Sequence, residues 1–130
     1  MSYVPKRLTV AQEQARLQAL ARYRVLDTVP EQAYDDVAKI AAAIAQTPVA
    51  IIGLLDRDRQ WYKAKIGIDA DGVPRRETFC NRLLDFPHDV LVIPDTHQDQ
   101  VVAQHPQVVG LPHIRFYMGA PLLTADEHML

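Results

Sequence analysis

Cys80 is the only cysteine of the chain and the only side chain that could act as a thiol nucleophile or redox centre. It follows Thr78, which can cap a short helix through its hydroxyl group. A single thiol forms no internal disulfide and has no resolving cysteine for redox turnover. Free cysteines are most often buried and act as small apolar side chains. We therefore expect Cys80 to be a packing residue, with thiol chemistry as the alternative.

The remaining polar side chains give weak signals for a metal or catalytic site. The five histidines are scattered and form no i, i+4 pair, whereas zinc sites prefer closely spaced ligands. Asp95 and Asp99 could hold a cation or perform acid–base chemistry, but aspartates in such turns more often cap the next helical turn. No Ser-His-Asp order, glycine-rich phosphate loop or HExxH motif occurs. The sequence therefore predicts no metal site and no catalytic residue.

Arg115 and Tyr117 are the most informative polar pair. They alternate along a predicted strand at 113–123, so both side chains should point to the same side of it. An arginine fork beside an aromatic ring suits an anionic or planar ligand. An ion pair from Arg115 to a carboxylate explains the pattern equally well.

Composition limits the class of protein. The 130 residues are enough for one domain, and a net charge of −2 without a basic cluster argues against nucleic-acid binding. The N-terminus lacks a signal peptide, and the apolar runs are far shorter than the ~20 residues that span a bilayer. One cysteine is typical of a reducing compartment. We expect a cytoplasmic domain without membrane contact.

A predicted hairpin forms the centre of the domain. Residues 49–55 are all apolar and bounded by Pro48 and Asp56, which predicts a strand buried on both faces. After a four-residue polar loop, residues 60–66 alternate and predict the partner strand. Tyr62, Ala64 and Ile66 should share its buried face, while Lys63 and Lys65 should lie on a solvated face.

Two helices precede this hairpin. A capping box from Thr9 to Gln12 begins the first helix, which ends near Tyr23 and should bury Leu17, Leu20 and Ala21. The second helix has six apolar residues on one face: Tyr34, Val37, Ala38, Ala41, Ile44 and Ala45. That face should pack on the sheet, so Ile44→Ala should cost about 2–5 kcal/mol.

The second half predicts shorter elements. A short helix should follow Thr78, a strand should cover 90–93, and a turn at 125–128 should lead into a new strand at Met129. Short connections of this kind favour antiparallel pairing. The chain is therefore predicted to be an α+β domain with an antiparallel sheet flanked by helices.

Several motifs, in this order, resemble the GAF domains of bacterial sensor proteins. The similarity is greatest to N-terminal GAF domains that precede histidine-kinase or diguanylate-cyclase output modules. It is carried by residues 23–28, 31, 34–35, 55–64, 78–80, 94–95, 99 and 114–122. We assign residues 17–130 to the GAF-like domain, and 1–16 to an N-terminal segment with the start of the first helix.

The resemblance implies a sensor function in signal transduction without chemistry in the domain itself. It implies a small-molecule pocket between the sheet and the loop-rich side. The candidate ligand-binding residues are Tyr62, Phe79, Cys80, Asp95, Arg115 and Tyr117. The sequence requires no cofactor. It names neither a cofactor nor a ligand.

Special activities of some GAF relatives fit this chain poorly. Relatives that link a bilin to cysteine usually follow it with histidine, where this chain has Asn81. Relatives that reduce methionine sulfoxide need a second cysteine. The Asn-Lys-Phe-Asp-Glu set of cyclic-nucleotide-binding GAF domains has no counterpart here, so tight binding of cyclic AMP or cyclic GMP is not expected.

The resemblance also implies a strand and a helix beyond Leu130. In GAF domains the strand after the last hairpin lies in the middle of the sheet, and a C-terminal helix follows it. We therefore expect a C-terminally truncated domain, whose strand 49–55 has an open edge that favours homodimer or edge-strand association, or pairing with 114–122. A dimerisation module without a ligand and a small cysteine-based redox enzyme are the alternative functions.

Overall fold

The computed structural model describes residues 8–130 and has the predicted α+β architecture. Two long helices precede a three-stranded antiparallel sheet in the order β1-β2-β3, and a two-stranded antiparallel sheet pairs β4 with β5. The helices are α1 (Val10–Tyr23), α2 (Gln32–Ala45) and α3 (Pro106–Val109). The strands are β1 (Ala50–Leu55), β2 (Arg59–Ile66), β3 (Gly72–Pro74), β4 (Leu91–Ile93) and β5 (Tyr117–Gly119). Three 3₁₀ segments cover Arg75–Glu77, Phe79–Asp85 and Thr96–Gln98.

Helix α1 begins with the predicted capping box. Thr9 Oγ1 accepts a hydrogen bond from the Gln12 amide at 3.1 Å, and Gln12 Oε1 accepts one from the Thr9 amide at 2.8 Å. The buried face differs from the prediction, because it contains Arg16 together with Ala19 and Leu20, while Ala21 is exposed. The periodicity therefore located the helix but missed a charged residue in its interface.

Helix α2 forms as predicted, but the prediction of its buried face was wrong. Ala38 is the buried residue of the helix, and Tyr34 and Ala45 are partly buried. Ile44 is 78% exposed, and Val37, Ile40 and Ala41 are exposed with it. The helix packs on β1 and β2, where the small side chain of Ala38 allows close approach and the Tyr34 ring lies beside Lys63.

The β1–β2 hairpin forms in the predicted place, with a register shift between Ile52 and Gly53. Leu54 and Leu55 are buried, whereas Ile51 is exposed. The prediction that β1 is buried on both faces along its length was therefore wrong. Among the described residues, the neighbouring elements cover its C-terminal half more fully than its N-terminal half.

Lys63 was predicted to be solvated and is instead fully buried. Its Nζ donates to Thr28 Oγ1 at 2.7 Å and to the Val29 carbonyl at 2.6 Å, and lies 2.6 Å from Glu31 Oε2. It also lies 5.2 Å from the Tyr34 ring centroid. The α1–α2 connection folds over this face of β2, so its carbonyl and side-chain oxygens replace water around the ammonium group.

Two clusters of buried apolar side chains lie mainly in the loop-rich half of the chain, in addition to buried residues such as Leu20, Ala38 and Leu54 in the helices and the hairpin. One cluster contains Phe79, Ile93, Val102 and Val108, and a second contains Leu55, Leu83 and Met129. The last strand is much shorter than the predicted 113–123, since the backbone adopts a positive φ at His113 and regular pairing covers only β5. Three large apolar side chains of this segment, Phe116, Met118 and Leu122, are exposed.

The segment after β5 forms the predicted turn and approaches β1. Leu123 bridges Met129, the Leu130 amide donates to the Leu122 carbonyl at 2.9 Å, and the Leu55 amide donates to the Leu130 carbonyl at 3.3 Å. Over residues 8–130, β5 pairs with β4 and not with β1. No helix in this part of the chain is long and apolar enough to cross a membrane.

Candidate functional site

Polar and aromatic side chains from β2, from the 3₁₀ segment Phe79–Asp85 with its cap Thr78, and from β5 lie close together. Three of them are predicted candidates, and two are additional polar residues. We call this group the Cys80 cluster; it consists of Gln60, Tyr62, Thr78, Cys80 and Tyr117.

The sulfur atom of Cys80 lies at the centre of this cluster. Gln60 Nε2 donates to Cys80 Sγ at 3.0 Å, and the Tyr117 hydroxyl lies 3.1 Å from the same sulfur. Thr78 Oγ1 donates to Gln60 Oε1 at 2.6 Å and accepts from the Cys80 amide at 3.2 Å. Each of these four residues is therefore held by at least one other member of the cluster.

Strand alternation and two glycines position these side chains. Gln60 and Tyr62 are two residues apart on β2 and so share the face opposite Lys63. A Cβ atom at Gly53 would clash with the Gln60 amide group, and one at Gly119 would clash with the Tyr117 hydroxyl. The two glycines thus leave the space in which both polar groups reach the sulfur.

Phe79 borders the cluster rather than joining its hydrogen bonds. Its ring meets the Tyr117 ring edge to face, with the centroids 5.1 Å apart, and the His105 ring at 4.4 Å. Such edge-to-face contacts are favourable and restrict ring orientation. Phe79 therefore fixes the plane of Tyr117 from the core side.

The electrostatics of the cluster keep its phenol groups protonated. Burial raises the pKa of Tyr62 to about 12, and the proximity of Cys80 acts in the same direction. Burial, followed by Cys80, also raises the pKa of Tyr117 well above its usual value. A phenol with the ordinary pKa of about 10 is already a hydrogen-bond donor at neutral pH, and these shifts extend that state to higher pH.

Asp95 and Arg115 lie apart from the cluster and bind each other. Arg115 Nη2 donates to Asp95 Oδ1 at 3.2 Å, and Asp95 Oδ1 also accepts from the His97 amide at 3.0 Å. The His97 amide and then the Arg115 guanidinium lower the pKa of Asp95. Arg115 precedes β5 and is exposed, so the prediction that it shares a strand face with Tyr117 was wrong. The ion pair and the cap account for both side chains.

Gln60 and Thr78 were not among the predicted site residues. Gln60 lies in the predicted alternating strand, two residues before Tyr62, so the period of two could have placed it on the same face. Thr78 was predicted only as a helix cap, a function that its contact with the Cys80 amide confirms. Its contact with Gln60 spans 18 positions and has no local sequence signal.

Two other features bear on ligand binding: the grouping of side chains that could hold a metal ion, and a cleft beside β2. Within residues 8–130, no three histidine, cysteine or acidic side chains lie close enough together to hold a metal ion. A cleft of about 660 Å³ is lined by the α1–α2 connection, α2 and β2, and its lining includes Lys39, Trp61 and Tyr62. Two lysines that line it, Lys63 and Lys65, already bind carboxylates of this chain.

Comparison with known proteins gives one informative relative. The chain is 35% identical over 114 residues to a cyclic di-GMP phosphodiesterase of Pseudomonas aeruginosa. The match covers 88% of this chain but 19% of that enzyme, so the chain spans about a fifth of the relative's length. No family model matches the chain. The similarity therefore concerns one segment of a larger enzyme.

Proposed function

We propose that this chain is a GAF-type regulatory domain that binds a small molecule within a cyclic di-GMP signalling protein. The order of GAF-like motifs supports the type of domain. The similarity to about a fifth of a cyclic di-GMP phosphodiesterase supports the signalling context. The domain senses, and an output module elsewhere in the protein performs the reaction.

The arrangement around Cys80 carries this proposal. Gln60 Nε2 and the Tyr117 hydroxyl are both potential donors, and both lie at about hydrogen-bond distance from the sulfur. Sulfur is a weak hydrogen-bond acceptor. A carbonyl, carboxylate or phosphate oxygen would be a stronger partner for the same donors. The cluster is thus suited to exchange an internal contact for a ligand oxygen.

The aromatic residues add a preference for a flat ligand. The Tyr117 ring is held by Phe79, and Tyr62 approaches from β2. A planar group that packs against a rigid aromatic ring gains contact area at low entropic cost. The proposed ligand is therefore a small planar molecule with at least one acceptor oxygen.

A chimeric enzyme tests the proposed regulation. The matching segment of the Pseudomonas phosphodiesterase is replaced by this chain, and the rate of cyclic di-GMP hydrolysis is measured in a low-molecular-mass cell extract. Tyr117→Phe removes the hydroxyl beside the sulfur and should abolish the response of the rate to the extract. Tyr23→Phe is the matched control, because Tyr23 is exposed on α1.

Direct binding provides the second readout. Native mass spectrometry of the 130-residue chain after exposure to the same extract should show a retained small molecule that is lost in the Tyr117→Phe variant. Circular dichroism verifies that both variants are folded. The sensor proposal is wrong if the chimera does not respond to the extract, or if it responds equally with Phe at either position and no molecule is retained.

A further inference from the structure

A second polar network joins helix α1 to the segment that carries Cys80. Its members come from α1, from the 3₁₀ segment Arg75–Glu77 and from the 3₁₀ segment Phe79–Asp85. We call it the arginine network; it consists of Glu13, Arg16, Arg75 and Asn81.

Arg16 is the buried end of this network. The residue is 2% exposed, and its Nη1 donates to the Leu55 carbonyl at 2.6 Å and to the Met129 carbonyl at 3.4 Å. Its Nε and Nη2 atoms donate to the two carboxylate oxygens of Glu13 at 3.1 and 2.9 Å. Arg16 therefore ties α1 to the end of β1 and to the chain segment beside it.

Arg75 joins Glu13 to the hairpin loop and to Asn81. Its Nη1 and Nη2 atoms donate to the Glu13 carboxylate, and Nη1 also donates to the Asp56 carbonyl at 3.1 Å. Its Nε donates to Asn81 Oδ1 at 3.0 Å, and Asn81 Nδ2 donates back to the Arg75 carbonyl at 2.7 Å. The planar guanidinium can make these contacts together because its five N–H groups point in fixed directions.

Asn81 follows Cys80 directly on the same 3₁₀ segment. Such segments have poorer hydrogen-bond geometry than an α-helix and are usually short. A shift of Cys80 moves Asn81, and the paired contacts between Asn81 and Arg75 pass that displacement to Glu13. This gives a continuous set of contacts from the cluster to α1.

We propose that the arginine network couples the state of the Cys80 cluster to helix α1, with Arg75 as the central positioning residue. This inference rests on the proposed sensor function, because it names the route by which that site acts on the rest of the protein. Coupling requires that a change at one end alters the other end only while the middle is intact.

A double-mutant cycle followed by NMR tests the coupling without a ligand. Tyr117→Phe perturbs the cluster of the 130-residue chain, and the backbone amide shifts of Cys80, Glu13 and Arg16 are recorded. We expect all three to move in the otherwise unchanged chain. In the Arg75→Ala background we expect Cys80 to move and Glu13 and Arg16 to stay fixed.

Arg76→Ala is the matched control, since Arg76 lies next in sequence and is exposed. In that background Tyr117→Phe should still move all three amides. Arg75→Ala should also raise hydrogen-exchange rates in α1 about tenfold, as loss of charged hydrogen bonds does. Arg75→Lys keeps the charge but lacks the planar fork, so it provides the same test if the alanine variant fails to fold.

Equal movement of Glu13 and Arg16 with and without Arg75 would overturn the proposed route, as would no movement in either background. Failure of the sensor function gives a different result. In that case the chimeric phosphodiesterase would not respond to the extract, while the amide shifts would still depend on Arg75. A chimera with Ala at position 75 that still responds fully to the extract would overturn the coupling and leave the sensor function standing.

Discussion

Helices α1 and α2 have the same length but bury different kinds of side chain. Helix α1 buries an arginine between apolar neighbours, whereas α2 exposes Val37, Ile40 and Ile44 and packs through alanine. Helix α2 makes the larger contact with the sheet, as hydrophobic periodicity predicts, but its large apolar side chains take no part in that contact. The difference shows that partner groups on the sheet, as well as the helix pattern, determine which face is buried.

The reason lies in what each helix meets. Helix α1 faces the end of β1, where the Leu55 and Met129 carbonyls need donors. Buried carbonyl groups without a partner cost free energy, so a guanidinium with Glu13 beside it is a stable solution there. Helix α2 faces the side chains of β1 and β2, where close approach favours small residues.

Truncation of the buried Arg16 should lower the free energy of unfolding more than any other change that tests the difference between the two helices. Arg16→Ala leaves two carbonyls without their donor and should lower the free energy of unfolding by about 3–5 kcal/mol. Arg22→Ala on the same helix is the control, because Arg22 and Asp126 are both exposed and 3.7 Å apart. Urea denaturation of both variants measures the difference. Equal midpoints would mean that the hydrogen bonds of Arg16 do not stabilise the packing of α1.

Acid should weaken the attachment of α1 by an intermediate amount. Burial raises the pKa of Glu13, but hydrogen bonds from Arg16 and Arg75 outweigh it and lower the pKa from 4.5 to about 2. A depressed carboxyl pKa stabilises the fold above pH 4.5, and this contribution is lost as the pH falls towards 2. With allowance for solvent screening, about 1–3 kcal/mol should depend on this group.

Denaturation midpoints between pH 7 and pH 2 provide the measurement. Glu13→Gln should flatten the acid side of the stability profile relative to the unchanged chain. Glu127→Gln, at an exposed position on the last turn, should leave the profile as it is. Parallel profiles for the two variants would show that Glu13 is not the titrating group.

The sequence allowed prediction of the elements that have local signals. The capping box of α1, the β1–β2 hairpin and the cap at Thr78 all depend on residues within a few positions of one another. The contacts inside the site were harder to predict from the sequence, because Gln60 reaches Cys80 across 20 positions and Arg75 reaches Glu13 across 62. Lys63 shows the same limit, since its burial depends on carbonyl and acidic groups that only the folded α1–α2 connection supplies.

The smallest effect is expected at Ile44, where the sequence predicted a large one. The side chain is 78% exposed, so Ile44→Ala removes little buried surface, and alanine has the higher helix propensity. The free energy of unfolding should change by no more than about 0.5 kcal/mol. Leu20→Ala on α1 is the matched truncation, because Leu20 is 1% exposed and should lose about 2–5 kcal/mol. Urea midpoints at two protein concentrations complete the test. A loss at Ile44 comparable to that at Leu20 would contradict the exposed position of this stripe, and a concentration-dependent loss would show that a second copy covers it.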